Sequence, residues 1–436
     1  MKNTLGTLAA LWALIITLVS APAYGGDEIP GPAQQRPVAL TNATIHTAAG
    51  PALAKATIVF DRGVIVDVGT NVTIPQGARV IDCSGKHVYP GFIAPNTTIG
   101  LTEIDAVRST RDNAEVGPVN PNAKAATAYN PDSDIIPTVR MNGVLLVNSV
   151  PEGGLVSGQA GLMRTDGWTR EDLAIKNPSA MVLNWPSMDV SSAPWMTTSA
   201  DDQRKQAEEA VRSIYTLFQD AKAYSDAALA GIDTNLRDIR YEAMRVVFEK
   251  DVPLMISASS KRQIEAVIDF QETFGLKVVL TNAADAHRVI PQLQKSGIPV
   301  IIPRVHSLPR RDEDPYDAPF TLAGTLARAG IVFAFTDGGS WQQRNLPFLA
   351  GTARAFGLGE EDAVKALTIW PAKMLGVDGQ YGSLEKGKSA TLFVSAGDAL
   401  DTKSNILSAA FIDGREIELT SRHTKLARKY RERGKR

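Results

Sequence analysis

The sequence predicts an α/β fold: a (β/α)8 TIM-like barrel with a small composite β-sandwich domain built from both chain ends. Three observations carry this. Short apolar runs alternate with amphipathic stretches through the middle of the chain. A glycine stands immediately before several of those runs, the chemistry of a helix ending ahead of a buried strand. Short-strand patterns with tight turns occur near both termini.

Taken in order, residues 1–25 read as a secretory signal. Lys2 supplies a positive start, Leu5 to Val19 an apolar stretch, and Ala21 to Gly25 a small-residue cleavage zone. That stretch is short for a membrane span and lacks a stop-transfer flank. The expectation is cleavage near Ala23 or Gly25 and a periplasmic or secreted protein, with an uncleaved anchor as the alternative. Without Lys2 the formal net charge moves from −1 to −2. So balanced a charge gives no reason to expect nucleic acid as a partner. The single cysteine, Cys83, excludes an intramolecular disulfide and a cysteine zinc site, and reads as a small buried apolar residue.

Residues 26–87 alternate short apolar runs with turns, among them Ala56 to Phe60 and the Asp61-Arg62-Gly63 turn. Residues 380–420 supply matching pieces, Ala390 to Val394 and Ile406 to Ile412, closed by an Asp413-Gly414 turn. Together these make the composite β domain. Residues 88–379 are the barrel. Its strands include Val88 to Ala94, Val144 to Val147, Met181 to Asn184, Val252 to Ile256, Leu276 to Leu280, Ile298 to Ile302 and Ile331 to Phe335. Gly143, Gly275, Gly297 and Gly330 precede four of them. Seven strands are legible and the eighth is not; a doubly wound open sheet satisfies the same pattern. Residues 105–142, polar and rich in Asn, Pro and Asp, read as a functional loop over the barrel mouth or a poorly ordered insertion. Residues 421–436 form a basic tail, eight cations against Glu432, suited to an anionic surface or simply to water.

Gly382 to Ser389 spells a phosphate-loop pattern, but a strand follows it where a helix is required, so nucleotide binding is rejected.

Val88-Tyr-Pro-Gly-Phe-Ile-Ala-Pro-Asn96-Thr-Thr98 resembles the first barrel strand of the amidohydrolase superfamily, and Gly153-Gly-Leu-Val-Ser-Gly-Gln159 with Asp166-Gly-Trp168 resembles the loop region of its exported, imidazolonepropionase-like members. Thr336-Asp337-Gly338, Thr368 to Gly376 and Gly382-Ser-Leu-Glu follow in that family's order. The resemblance implies a hydrolase of C–N bonds, in cyclic amides or small peptides, using a divalent metal such as zinc. In the family, histidines after strands one, five and six and an aspartate after strand eight hold that metal. Here Asn96 and Thr98 stand at the strand-one pair, Ser257 at strand five and Asn282 at strand six; only Asp337 matches. Asn96 and Thr98, two apart on an extended chain, are expected to project to one side. One carboxylate among amides and hydroxyls is a poor zinc site. His306, after strand seven, is the one histidine on the correct face, so Asp337 with His306 is the pair to test; a loop histidine without catalytic duty is the blander reading. Asp337 reads equally as a barrel-end carboxylate held by backbone N–H groups. Metal-free acid–base chemistry would draw on Glu103 and Asp105 facing Asp337, although Arg108 and Arg111 suit a surface charge network as well. Trp185 and Trp341 read as pocket-rim or packing residues. Three functions stay open: an active hydrolase with an unusual centre, a catalytically silent relative that binds a small molecule, and a structural partner in a homo-oligomer or with a paralogous barrel.

Overall fold

The computed structural model describes residues 28–434 apart from 192, 194 and 233–236, so the signal expected at 1–25 and the last two residues lie outside the described residues. Strands β1 (Val38–Ile45), β2 (Leu53–Asp61), β3 (Val64–Gly69), β4 (Arg79–Asp82) and β5 (His87–Pro90) join β14 (Leu392–Ser395), β15 (Leu407–Ile412) and β16 (Arg415–Glu416). They form one sheet in the order β16-β15-β14-β5-β1-β2-β3, with β4 beside β1. The β14–β5 pairing stitches the two chain ends together. The sheet's core holds Leu40, Ile58, Phe60, Val88, Leu392 and Phe411, with Cys83 buried among them.

The stretch Val88 to Ala94 is not one strand. It divides at Gly91 into β5 of the small sheet and β6 (Phe92–Thr97) of the barrel. A Cβ at Gly91 would sit 2.9 Å from Leu145 Cβ and 3.0 Å from Thr391 Cγ2. Only glycine lets the backbone cross between the two bodies at that point.

The barrel runs β6, β7 (Val144–Ser149), β8 (Val156–Arg164), β9 (Ala174–Asn184), β10 (Leu254–Ser257), β11 (Val278–Thr281), β12 (Val300–Ile302) and β13 (Phe333–Phe335) in sequential order. The eighth strand is β8, and it lies antiparallel to both neighbours. It reads poorly as a strand because it carries Gly158 and Gly161. Those glycines are used: side chains there would collide with Ala123 and Ala126, which pass over them. Much of the polar segment 105–142 therefore lies along β8, with bridges at Val119–Val156 and Lys124–Gln159, and does not all cover the mouth. Gly143, Gly275, Gly297 and Gly330 all adopt positive φ ahead of their strands, as expected.

Met255, Val279, Ile301, Ala334 and Met374 pack together as a core cluster of their own. A second cluster joins Ile93, Leu146 and Leu162 to Ala372 and Leu375 of the helix Ile369–Leu375. β6 and β13 close the ring without a ladder. Thr336 Oγ1 donates to Asn96 O at 2.7 Å, Gln343 Nε2 to the same carbonyl at 3.1 Å, and Thr97 Oγ1 to Gly339 O at 2.8 Å.

Candidate functional site

The carboxyl ends of parallel barrel strands are where side chains from different strands converge. At the ends of β6, β9, β10 and β11 lie Asn96, Asn184, Ser257 and Asn282. They line a cleft of about 350 Å³ with Val150, Val182 and Met255. Asn282 Nδ2 donates to Ser257 Oγ at 3.0 Å, and Asn184 Nδ2 donates to Gly154 O and Ser157 Oγ. Asn282 adopts φ 59°, a left-handed conformation that asparagine tolerates better than most side chains.

The structure thus brings Asn96, Ser257 and Asn282 together and leaves Thr98 and Asp337 out of the cleft lining. Asn96 and Thr98 do not share its face. A register shift between Ala94 and Thr97 interrupts the two-residue alternation, and β6 ends at Thr97. Thr98 N instead donates to Gly339 O at 3.3 Å.

Asp337 follows β13, with its side chain fully buried. Its partner is Arg304, from the loop after β12, whose Nε lies 2.9 Å from Oδ1. Asn345 Nδ2 donates to Oδ2 at 3.3 Å. Burial pushes the carboxyl above its ordinary range, and Arg304, Asn345, His306 and Arg344 pull the other way without cancelling it. His306 hydrogen-bonds Thr352 Oγ1 through Nε2 at 2.7 Å and rests near Phe320. The Asp337–His306 pairing expected from sequence is replaced by Asp337–Arg304.

The same loop sends two more arginines over the mouth. Arg310 Nη1 donates to Ser259 O and Oγ, at 3.0 and 2.7 Å. Arg311 grips buried Asp285 with both Nη groups, at 2.9 and 2.5 Å, and Lys261 N–H adds a third bond. Burial alone would raise the Asp285 carboxyl; these donors outweigh it and hold it below its usual range. Gln263 Oε1 accepts from the Ser259 and Ser260 N–H groups, each at 3.0 Å, where the helix Lys261–Phe274 begins.

Glu103 and Asp105 do not face Asp337. The Glu103 carboxylate accepts from Asn130 and Ser133, and Asp105 is exposed. Trp341 Nε1 donates to Glu103 O, placing that ring beside the segment that follows β6, whereas Trp185 is buried edge-on against Phe270. The phosphate-loop letters are likewise spoken for: Lys388 Nζ reaches Ser383 and Glu385.

The resemblance implies a metal, and these residues do not fit one. The strand-end donors are amides and a hydroxyl, Asp337 is paired with a guanidinium, and Glu152 on the cleft wall accepts from Asn113 Nδ2 at 2.6 Å. Among the described residues no three or more His, Cys, Asp or Glu side chains converge in a ligating group. Sequence reasoning misses Arg304, Arg310 and Arg311, although Ile302-Pro-Arg-Val-His306 places Arg304 two residues from the candidate histidine.

An amidohydrolase family model matches residues 180–417, more than half of the chain. An amidohydrolase of Thermotoga maritima superposes with a TM-score of 0.77 at 26% identity, over 87% of this chain and 99% of that one. A prolidase complexed with N-methylphosphonate-L-proline gives 0.52 at 15% identity, over 88% and 99%. Phenylurea hydrolase B gives 0.51 at 15% identity, over 88% and 97%. The last two likenesses bear on the fold alone. No curated protein matches the chain.

Proposed function

We propose that this chain, which belongs to the amidohydrolase family, binds a small amide-bearing molecule at its barrel mouth and has lost the metal-dependent hydrolysis of C–N bonds. One observation carries the reading: the Arg304 guanidinium sits 2.9 Å from Asp337, the one carboxylate kept from the family pattern. A cation already against that carboxylate opposes a divalent ion on the same oxygen. The cleft supports the ligand class. Each asparagine amide offers both a donor and an acceptor, matching the edge of another amide. Val150, Val182 and Met255 provide the apolar ground. Export by the leader at 1–25 belongs to the same reading.

The alternative is an active C–N hydrolase that does without the imidazoles, and it rests on family membership together with buried Asp337 as a proton acceptor. Calorimetric titration with acetylated amino acids and dipeptides, followed by product analysis, separates the two. The proposal expects saturable binding without product, weakened about tenfold by Asn282→Ala. Product formation that Asp337→Asn abolishes would support the alternative. Failure of every small amide to bind would overturn the proposal.

A further inference from the structure

The helix Arg422–Arg433 lies at the end of the described chain and buries none of its residues. Ser421 starts it: its hydroxyl accepts from Thr424 N–H, and Thr424 Oγ1 accepts from Ser421 N–H at 2.8 Å. Only the first turn is attached. Arg422 pairs with Asp134 at 3.3 Å, the helix's one ion pair among the described residues, and His423 meets the Trp341 ring edge-on at 6.1 Å. From Lys425 to Gly434 every residue is exposed.

Such a helix is poorly supported on its own. Twelve residues are too few for a stable isolated helix in water. Lys425–Lys429 and Lys429–Arg433 set like charges at i and i+4, and Lys425–Arg428 and Arg428–Arg431 at i and i+3. Glu432 is the only acidic residue within it. The element lacks countercharge, and an anionic partner would supply it.

The distribution of side chains narrows the partner. Leu426 and Tyr430 are both exposed and lie four apart, hence on one stripe of the helix. Lys429 Nζ hangs 6.0 Å over the Tyr430 ring. Arg422, Lys429 and Arg433 project along one edge of that stripe, and Arg428 and Arg431 lie farther round the helix. A leucine and a tyrosine bordered by cations suit the headgroup boundary of a bilayer, where an aromatic ring and cation stems both find favourable surroundings. A nucleic acid would satisfy the cations and could stack a base on Tyr430, but it offers nothing to Leu426.

We propose that the helix Arg422–Arg433 is a peripheral docking element for an anionic phospholipid surface. It inserts Leu426 and Tyr430 at headgroup depth while its cations neutralise lipid phosphates. No helix among the described residues is long and apolar enough to cross a membrane, so contact by this helix is interfacial.

Sedimentation of the full chain with phosphatidylcholine vesicles, alone or with roughly one-third phosphatidylglycerol, tests this. Binding is expected only to the anionic vesicles and is expected to fall away at about 0.5 M salt. Replacing Arg428, Lys429, Arg431 and Arg433 together by Gln should weaken it at least about a hundredfold, each cation contributing about fivefold. Leu426→Ser with Tyr430→Ser should weaken vesicle binding about tenfold while leaving retention on single-stranded DNA unchanged. An unchanged thermal midpoint will show that both variants keep the folded body. Equal binding to neutral vesicles, indifference to the four substitutions, or DNA binding tighter than vesicle binding would overturn the proposal.

Discussion

Replacing Arg304 by alanine leaves the Asp337 carboxylate buried with only Asn345, at 3.3 Å, as a hydrogen-bond partner. Breaking a fully buried ion pair costs about 3–5 kcal/mol, and an exposed pair contributes about 0–1 kcal/mol. Here the carboxylate is fully buried and the guanidinium is 49% exposed, so water reaches one partner. A loss of about 2 kcal/mol near neutral pH follows from that intermediate position. Its pH dependence has a definite sign. Burial already raises the Asp337 carboxyl, so the folded state binds the proton more readily than the unfolded chain. The penalty on the ionised form is present above the folded pKa and vanishes as pH falls toward the unfolded value. Arg304→Ala enlarges that penalty and so loses more stability at about pH 7 than at about pH 4, close to the ordinary carboxyl value of 3.8. Asp337→Asn removes the charge and should restore most of the loss in the double variant. Urea denaturation of the four proteins at both pH values measures the cycle. Additivity of the two substitutions within about 0.5 kcal/mol would show that the pair is not coupled, and the reasoning would fail.

Two further outcomes concern stability away from the mouth. Arg140 is buried between Asp166, Glu28 and Thr165 O, so Arg140→Met takes away one of the two guanidiniums on buried Asp166, leaving Arg415 at 3.0 Å and Gly31 N–H, and should cost about 2 kcal/mol by chemical denaturation; a cost under about 1 kcal/mol would contradict that role. His46 lies 3.0 Å from His87 and flat against Tyr89, and its pKa falls from 6.5 to about 4, through burial first and His87 second. A base with a depressed folded pKa leaves the unfolded chain holding more protons, so stability is lost as pH drops from 6.5 toward 4. The ceiling is about 3 kcal/mol, and His46→Asn should flatten that slope; parallel stability curves for the two proteins would refute it.

Much of the fold was legible because its signals are local. Short apolar runs, four of them preceded by a glycine, name seven barrel strands without tertiary information. The eighth was hidden because β8 is antiparallel and carries two glycines whose purpose, letting Ala123 and Ala126 pass, exists only in three dimensions. Gly91 was hidden for the same reason: the boundary between β5 and β6 is a contact with Leu145 and Thr391, not a composition change. At the site, strand ends located Asn96, Ser257 and Asn282. The bulge that separates Thr98 from Asn96 depends on pairing with β7 and leaves no mark in the residues themselves. Arg304 carries no local signal of its role, because the family pattern calls for groups that hold a cation and the structure puts a cation there instead.

The account depends most on the poverty of metal donors at the barrel mouth. Elemental analysis of the chain, purified without chelator and then dialysed against zinc, addresses it directly. The account predicts substoichiometric metal that Asp337→Asn does not alter. One or more tightly held zinc ions per chain, released when Asp337 is replaced, would contradict it.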